Sequence, residues 1–159
     1  EIGSGLVGSE MCIRDRALPG WAQTDYLGRI PHGEVAKQMA HCRAGVALLR
    51  PGKNTNGHSG TMGNTKIFEE MMAGLPVICT DFSLWREFVE RYHCGVCVDP
   101  EDVDQVVLAL RRLLEHPEEA RQMGENGRRA VREAFNWSVE EQTLLGLYRD
   151  LSGSCDKGR

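Results

Sequence analysis

The sequence predicts an α/β domain: a parallel sheet with helices on its flanks. Three observations predict it. Short apolar runs fall at 46–49, 75–80 and 94–100. Segments of helical period lie between and after them. Glycine, proline and aspartate mark the boundaries, and strand–helix–strand–helix order is the signature of parallel strands joined by crossovers.

Each element can be justified in turn. Val35, Met39 and Cys42 stand at i, i+4 and i+7, one face of a helix. Gly45 opens the apolar run 46–49, which Arg50-Pro51 closes, as for a buried strand. The segment 52–63, "GKNTNGHSGTMG", is polar and glycine-rich, hence a loop. In "NTKIFEEMMAG", Asn64 or Thr65 caps a helix, Ile67, Phe68, Met71 and Met72 form its apolar face, and Gly74 stops it. "LPVICT" (75–80) is a second buried strand, "SLWREFVERY" (83–92) a short helix, and "CGVCVDP" (94–100) a third strand and turn. Val103, Val106, Val107, Leu110, Leu113 and Leu114 line one side of the next helix. Pro117 starts another, with Glu118 and Glu119 in its first turn. Ser138 and Glu141 spell a capping box for a last helix, and 152–159 reads as a frayed tail.

Composition excludes several function classes. A net charge of −4 gives no electrostatic footprint for nucleic acid. No apolar run approaches the roughly 20 residues of a membrane helix. Six cysteines are present, and Cys42, Cys79 and Cys97 sit in apolar or helical stretches, as small core residues of a reducing, cytoplasmic compartment do.

The first sixteen residues stand apart. "EIGSGLVGSEMCIRDR" has no apolar core of about 7–15 residues and its positive charge lies at the wrong end for a signal peptide. It resembles the translation of a transposase-based sequencing adapter, matching at Glu1, Ile2 and Leu6 to Arg16, with 3–5 as a variable index. Residues 1–16 are therefore expected to be a non-native leader, 17–151 the domain, and the gene is expected to extend further toward its N-terminus.

In an open parallel sheet, ligands bind beyond the carboxyl ends of strands, near helix N-termini. The loop 52–63 and the helix after it fit that rule. Asn56, Gly57, Ser59, Gly60, Thr61 and Gly63 can bring backbone N–H groups together, and the helix start adds unpaired donors and a positive dipole end. Lys66 in the first turn is opposed by that dipole unless an anion lies between them. Glu69, one turn on, is suited to both hydroxyls of a ribose-like diol. Together they spell a nucleotide-diphosphate site. A solvated Lys66–Glu69 surface pair at i, i+3 is the competing reading.

"NTKIFEEMMAGLPVICTD" resembles the donor motif of retaining GT-B glycosyltransferases of the family-4 type, through Asn64, Lys66, Glu69, Met71, Ala73, Gly74, Pro76, Val77 and Ile78. "YLGRIPHGEVAKQM" (26–39), "CGVCVDPED" (94–102) and "MGENGRRAVREAFNWS" (123–138) are similar in the same order. The resemblance implies the C-terminal, Rossmann-like half of a GT-B fold. It implies a nucleotide-diphosphate sugar donor, with Gly60, Thr61, Gly63, Asn64, Thr65 and Lys66 at the diphosphate and Glu69 on the ribose. Arg29 and Ile30, after a strand near Tyr26 to Gly28, are candidates to border the base. Many relatives carry a sugar-contacting Glu where Thr61 stands here, which leaves that role unassigned. Glu70 takes the place of a small or aromatic residue and is expected on the helix surface.

The resemblance further implies an acceptor-binding N-terminal domain, with a catalytic His there in many relatives and any peripheral membrane contact assigned to it. The acceptor is a glycan, a lipid or a small molecule. No metal or other cofactor is expected, and this chain alone is expected to lack transferase activity and to be poorly soluble. Two rivals remain: a nucleotide-sugar epimerase of the same architecture, and a non-catalytic nucleotide-sugar-binding module.

Other features have plainer expectations. Cys94 and Cys97 have CxxC spelling but enter a strand, and with His93 they lack a fourth zinc ligand. Asp102 and Asp104 open a helix, where acids complement the dipole. His58 is a solvated loop residue. Trp85, Phe88 and Val89 are helix packing, and Arg128, Arg129 and Arg132 a solvated face.

Overall fold

The computed structural model describes residues 17–28 and 30–155; residues 1–16, expected to be a leader, Arg29, and 156–159 of the expected tail lie outside them. Contacts divide the chain into two compact units, Glu1–Gln38 and Met39–Arg159.

In the first unit, Pro19 starts a single 3-10 turn, Pro19–Gln23, and the Trp21 ring lies 5.3 Å from that of Tyr26. The expected strand near Tyr26 to Gly28 is irregular chain instead. A strand exists through its ladder, and this stretch joins no ladder of the sheet among the described residues. Helix α1 follows as His32–Met39, with Lys37 bonded to Glu34 at 2.5 Å. Cys42, expected on its apolar face, is exposed, because the helix ends in a turn in which the Cys42 N–H bonds the Met39 carbonyl.

The second unit carries a sheet of three parallel strands among the described residues: β1 Gly45–Ala47, β2 Val77–Thr80 and β3 Gly95–Val98, in that spatial order. Ala47, Cys79 and Cys97 lie in register across it. The apolar run 46–49 outlasts its strand by two residues. The cause is Thr80, whose hydroxyl takes both backbone groups of Leu49, so side chain replaces ladder.

Helices cover the sheet: α2 Thr65–Ala73, α3 Ser83–Tyr92, α4 Val103–Glu115 and α5 Pro117–Glu133; α6 Trp137–Cys155 follows them and is largely exposed. The central strand β2 is buried throughout. Its alternation sends Val77 and Cys79 to a core with Ile67, Met71, Phe82, Trp85, Phe88 and Val89, and Ile78 to a second with Val98, Ala109, Leu113 and Ala120. Asn64 caps α2, Gly74 ends it in the left-handed region, and Asp102 caps α4 through the Gln105 N–H, as the sequence predicts.

Three expectations fail. On α4 the buried stripe runs through Ala109 and Leu113, while Val103, Val107 and Leu114 are exposed. At α6 the capping box does not form, because the helix starts a residue before Ser138 and Asn136 takes the cap, its Oδ1 accepting from the Val139 N–H at 3.3 Å. The same helix continues to Cys155. Arg128 is not merely solvated: its guanidinium donates to the Met72 and Ala73 carbonyls at the end of α2, at 3.2 and 2.5 Å. No helix of the described residues is long and apolar enough to cross a membrane.

Candidate functional site

The site is built outward from the carboxyl end of β1. Leu49 is held where the loop begins: its N–H donates to Thr80 Oγ1 at 2.7 Å, and Thr80 Oγ1 donates to its carbonyl at 2.8 Å. The loop then bonds to itself. Buried Thr55 accepts from the Gly52 N–H at 2.8 Å and donates to the Gly57 carbonyl at 2.9 Å, closing a turn whose Asn56 is left-handed. From His58 to Thr61 the chain lies along the start of α3. The Leu84 N–H donates to the Ser59 carbonyl at 3.0 Å, and Trp85 Nε1 donates to the Thr61 carbonyl at 2.9 Å.

The loop passes into α2 through two side-chain bonds. The Gly63 N–H donates to Thr61 Oγ1 at 3.1 Å, and the Lys66 N–H to Asn64 Oδ1 at 3.3 Å. Two amides expected to face an anion are thus engaged by hydroxyl and amide oxygens. The first-turn amides of α2 still have no carbonyl one turn earlier to bond, as at any helix start. Gly63, Thr65 and Lys66 are exposed, Thr61 and Asn64 half-buried, and Gly60 buried. Glu69, one turn beyond Lys66, is half-buried. Ile30 belongs to the first unit.

Glu70 was expected on the helix surface and is inside. It shares the sheet-facing side of α2 with Ile67 and Met71 and is 7% exposed, whereas Met72, expected on the apolar face, is 47% exposed. The spacing Ile67, Glu70, Met71 (i, i+3, i+4) is the signal that places it there. Its Oε2 is buried without a hydrogen-bond partner. Burial raises its carboxyl to about 7, opposed by the Lys66 charge and the Val46 amide.

A cavity of about 240 Å³ opens at the carboxyl ends of β2 and β3, lined by His58, Asp81, Phe82, Asp99 and Glu101 among others. Its carboxylates are engaged: Asp81 by Arg86, Glu101 by Arg50 at 3.2 Å, and Asp99 by the Glu101 N–H. The CxxC cysteines do not meet each other; Cys97 Sγ lies 3.8 Å from that of Cys79 on the neighbouring strand. Burial pushes the Cys94 thiol to about 12. No three His, Cys, Asp or Glu side chains gather as metal ligands among the described residues.

The family model described as glycosyl transferase-like matches residues 3–146. The chain belongs to this family. The match begins within the segment read as a leader and runs through all three strands and the 52–66 loop and helix start. Over 78 residues this glycosyl transferase-like chain is 40% identical to the MMP alpha-(1->4)-mannosyltransferase of Mycolicibacterium hassiacum, covering 48% of this chain and 19% of that protein. Its fold is similar to that of sucrose-phosphate synthase from Thermosynechococcus elongatus, at a TM-score of 0.69 and 26% identity, covering 91% of this chain and 34% of that one. The chain spans well under half the length of either relative.

Proposed function

We propose that this chain supplies the donor half of a retaining glycosyltransferase that takes a nucleotide-diphosphate sugar. One observation carries the reading: a cation and a carboxylate one helical turn apart, Lys66 and Glu69, stand at the start of a capped helix beyond the carboxyl end of a parallel strand. Lys66, the α2 dipole and the amides of 60–65 would hold the diphosphate and stabilise the negative charge that develops as it leaves, with no metal needed. Glu69 would accept from both ribose hydroxyls. An acceptor hydroxyl (of a glycan, a lipid or a small molecule) would attack the anomeric carbon, with the configuration there retained. The relative's name gives mannosyl transfer, and a hexosyl donor is the reading extended to this chain. The cytoplasm, where nucleotide sugars would be met, is its place.

Glu70 weighs against the epimerase. That chemistry wants acid–base carboxylates facing the sugar, and burial on the sheet side of α2 removes one of the two on this helix.

The test is calorimetric titration of this chain with UDP, GDP and ADP. One of them is expected to bind, with Lys66→Ala and Glu69→Ala each weakening it about tenfold. Using the 2′,3′-dideoxy diphosphate should erase the Glu69 effect and keep that of Lys66. Equal affinity of the wild type and both variants for the diphosphate would overturn the assignment.

A further inference from the structure

We propose that Trp85 is a positioning residue for the donor: the start of α3 clamps the loop 58–61 and thereby sets where the diphosphate-directed groups of 60–66 stand. The inference rests on the donor-site reading above.

The clamp has four parts. Trp85 is 1% exposed, with its ring edge-on to Phe82 at 4.9 Å between centroids. Its one polar atom, Nε1, spends its hydrogen on the Thr61 carbonyl at 2.9 Å. The Ser83 and Leu84 N–H groups, which a helix start leaves without internal partners, donate to the His58 and Ser59 carbonyls at 3.3 and 3.0 Å. Between these bonds Gly60 has φ +80°, and a Cβ there would lie 2.8 Å from the Phe82 Cβ and 3.2 Å from the indole. The loop therefore lies flat on Phe82 and Trp85, in a conformation that glycine accepts and other residues resist.

The clamp reaches the site through Thr61. Its carbonyl is fixed by Trp85, and its hydroxyl accepts the Gly63 N–H at 3.1 Å, one residue before the Asn64 cap. A shift of Thr61 therefore moves the entry to α2. Packing alone would need a ring at position 85; it would not need an N–H aimed at a loop carbonyl. Removing only that N–H separates the two roles.

Trp85→Phe keeps a ring and deletes the donor. Two measurements on the full chain are needed: amide hydrogen exchange without ligand, and affinity for UDP, GDP and ADP. Exchange at 60–63 is expected to accelerate about tenfold while β2 and α5 keep their protection, and the bound diphosphate to weaken by a similar factor, the cost of one part-buried carbonyl left without its donor. Unchanged exchange in the loop overturns the inference even if binding is lost. So does equal loosening of loop, β2 and α5, which would make Trp85 a core residue only. If the wild-type chain binds none of the three diphosphates, the donor reading falls, while loop-confined acceleration still establishes the clamp. Should Trp85→Phe fail to fold, Gly60→Ala lifts the loop from its other side and is expected to give the same pattern; wild-type exchange in that variant overturns the clamp.

Discussion

The carboxyl group of Glu70 occupies the space that a side chain on Gly45 would need. A Cβ built on Gly45 would lie 2.5 Å from Glu70 Cδ and 2.6 Å from Oε2. The glycine that opens β1 is thus matched to an acid on the helix covering it. Burial raises Glu70 from 4.5 to about 7, which makes stability depend on pH. Below 4.5 both folded and unfolded chains hold the proton. Between 4.5 and 7 only the folded chain holds it, so stability falls as pH rises; above 7 the folded chain carries a buried charge. Glu70→Gln should flatten this profile, gaining on the order of 2–3 kcal/mol above pH 7 and little at pH 4. Urea unfolding at a series of pH values checks it. A gain equal at both ends would assign the effect to packing instead of ionisation.

Thr80 and Leu49 form the second matched pair. One hydroxyl serves both backbone groups of Leu49 and carries β1 into its loop. Thr80→Val keeps the shape and strands an N–H and a C=O. A loss of about 2–3 kcal/mol is expected, from the desolvation of two groups left unpaired. Chemical denaturation measures it, and faster exchange at 49–52 should accompany it. A loss below about 0.5 kcal/mol, the usual size for an inconsequential site, would show that water replaces the hydroxyl.

Much of this was legible in the sequence because it is written in local periods. The α/β class, the three apolar strands and the α2 and α4 caps follow from runs and capping residues that need no partner to be recognised. Elements that depend on a partner were harder. The strand near Tyr26 needs a ladder, and β1 ends early because a side chain thirty-one positions away takes Leu49. Near the start of α2, what the sequence shows is the spacing of Lys66 and Glu69, one turn apart on the same helix. Glu70, expected on the surface as a departure from the family's small or aromatic residue, is buried, and its spacing from Ile67 and Met71 is the local signal that puts it on the sheet side. Nothing local tells that the Trp85 N–H would find Thr61, or that Arg128 would reach the end of α2.

Asn64 tests how the helix start is held in the absence of ligand. Its Oδ1 accepts the Lys66 N–H. Asn64→Ala should cost about 1 kcal/mol and Asn64→Asp little, since either Asn or Asp serves as a cap. If a diphosphate takes over that amide on binding, saturating ligand should shrink the difference between wild type and Asn64→Ala. Thermal melts with and without the best-binding diphosphate read this directly. A ligand-independent difference would mean that the Lys66 amide stays with Asn64.

Arg128 does the corresponding work at the other end of α2. Its guanidinium, reaching from α5, donates to the carbonyls of Met72 and Ala73, which lie in the last turn of α2 and have no partner within it. The cation also faces the negative end of the helix dipole. Arg128→Lys keeps the charge but loses the planar fork that meets two carbonyls at once. Arg128→Lys should therefore recover part of the roughly 1–2 kcal/mol lost in Arg128→Ala. Added salt should narrow the gap between the Lys and Ala variants, because it screens charge more than it weakens hydrogen bonds. The measurement is urea denaturation of the three proteins at low and high ionic strength. If Lys restores full stability, charge alone holds the α2 end; if it restores none, the two directed hydrogen bonds do.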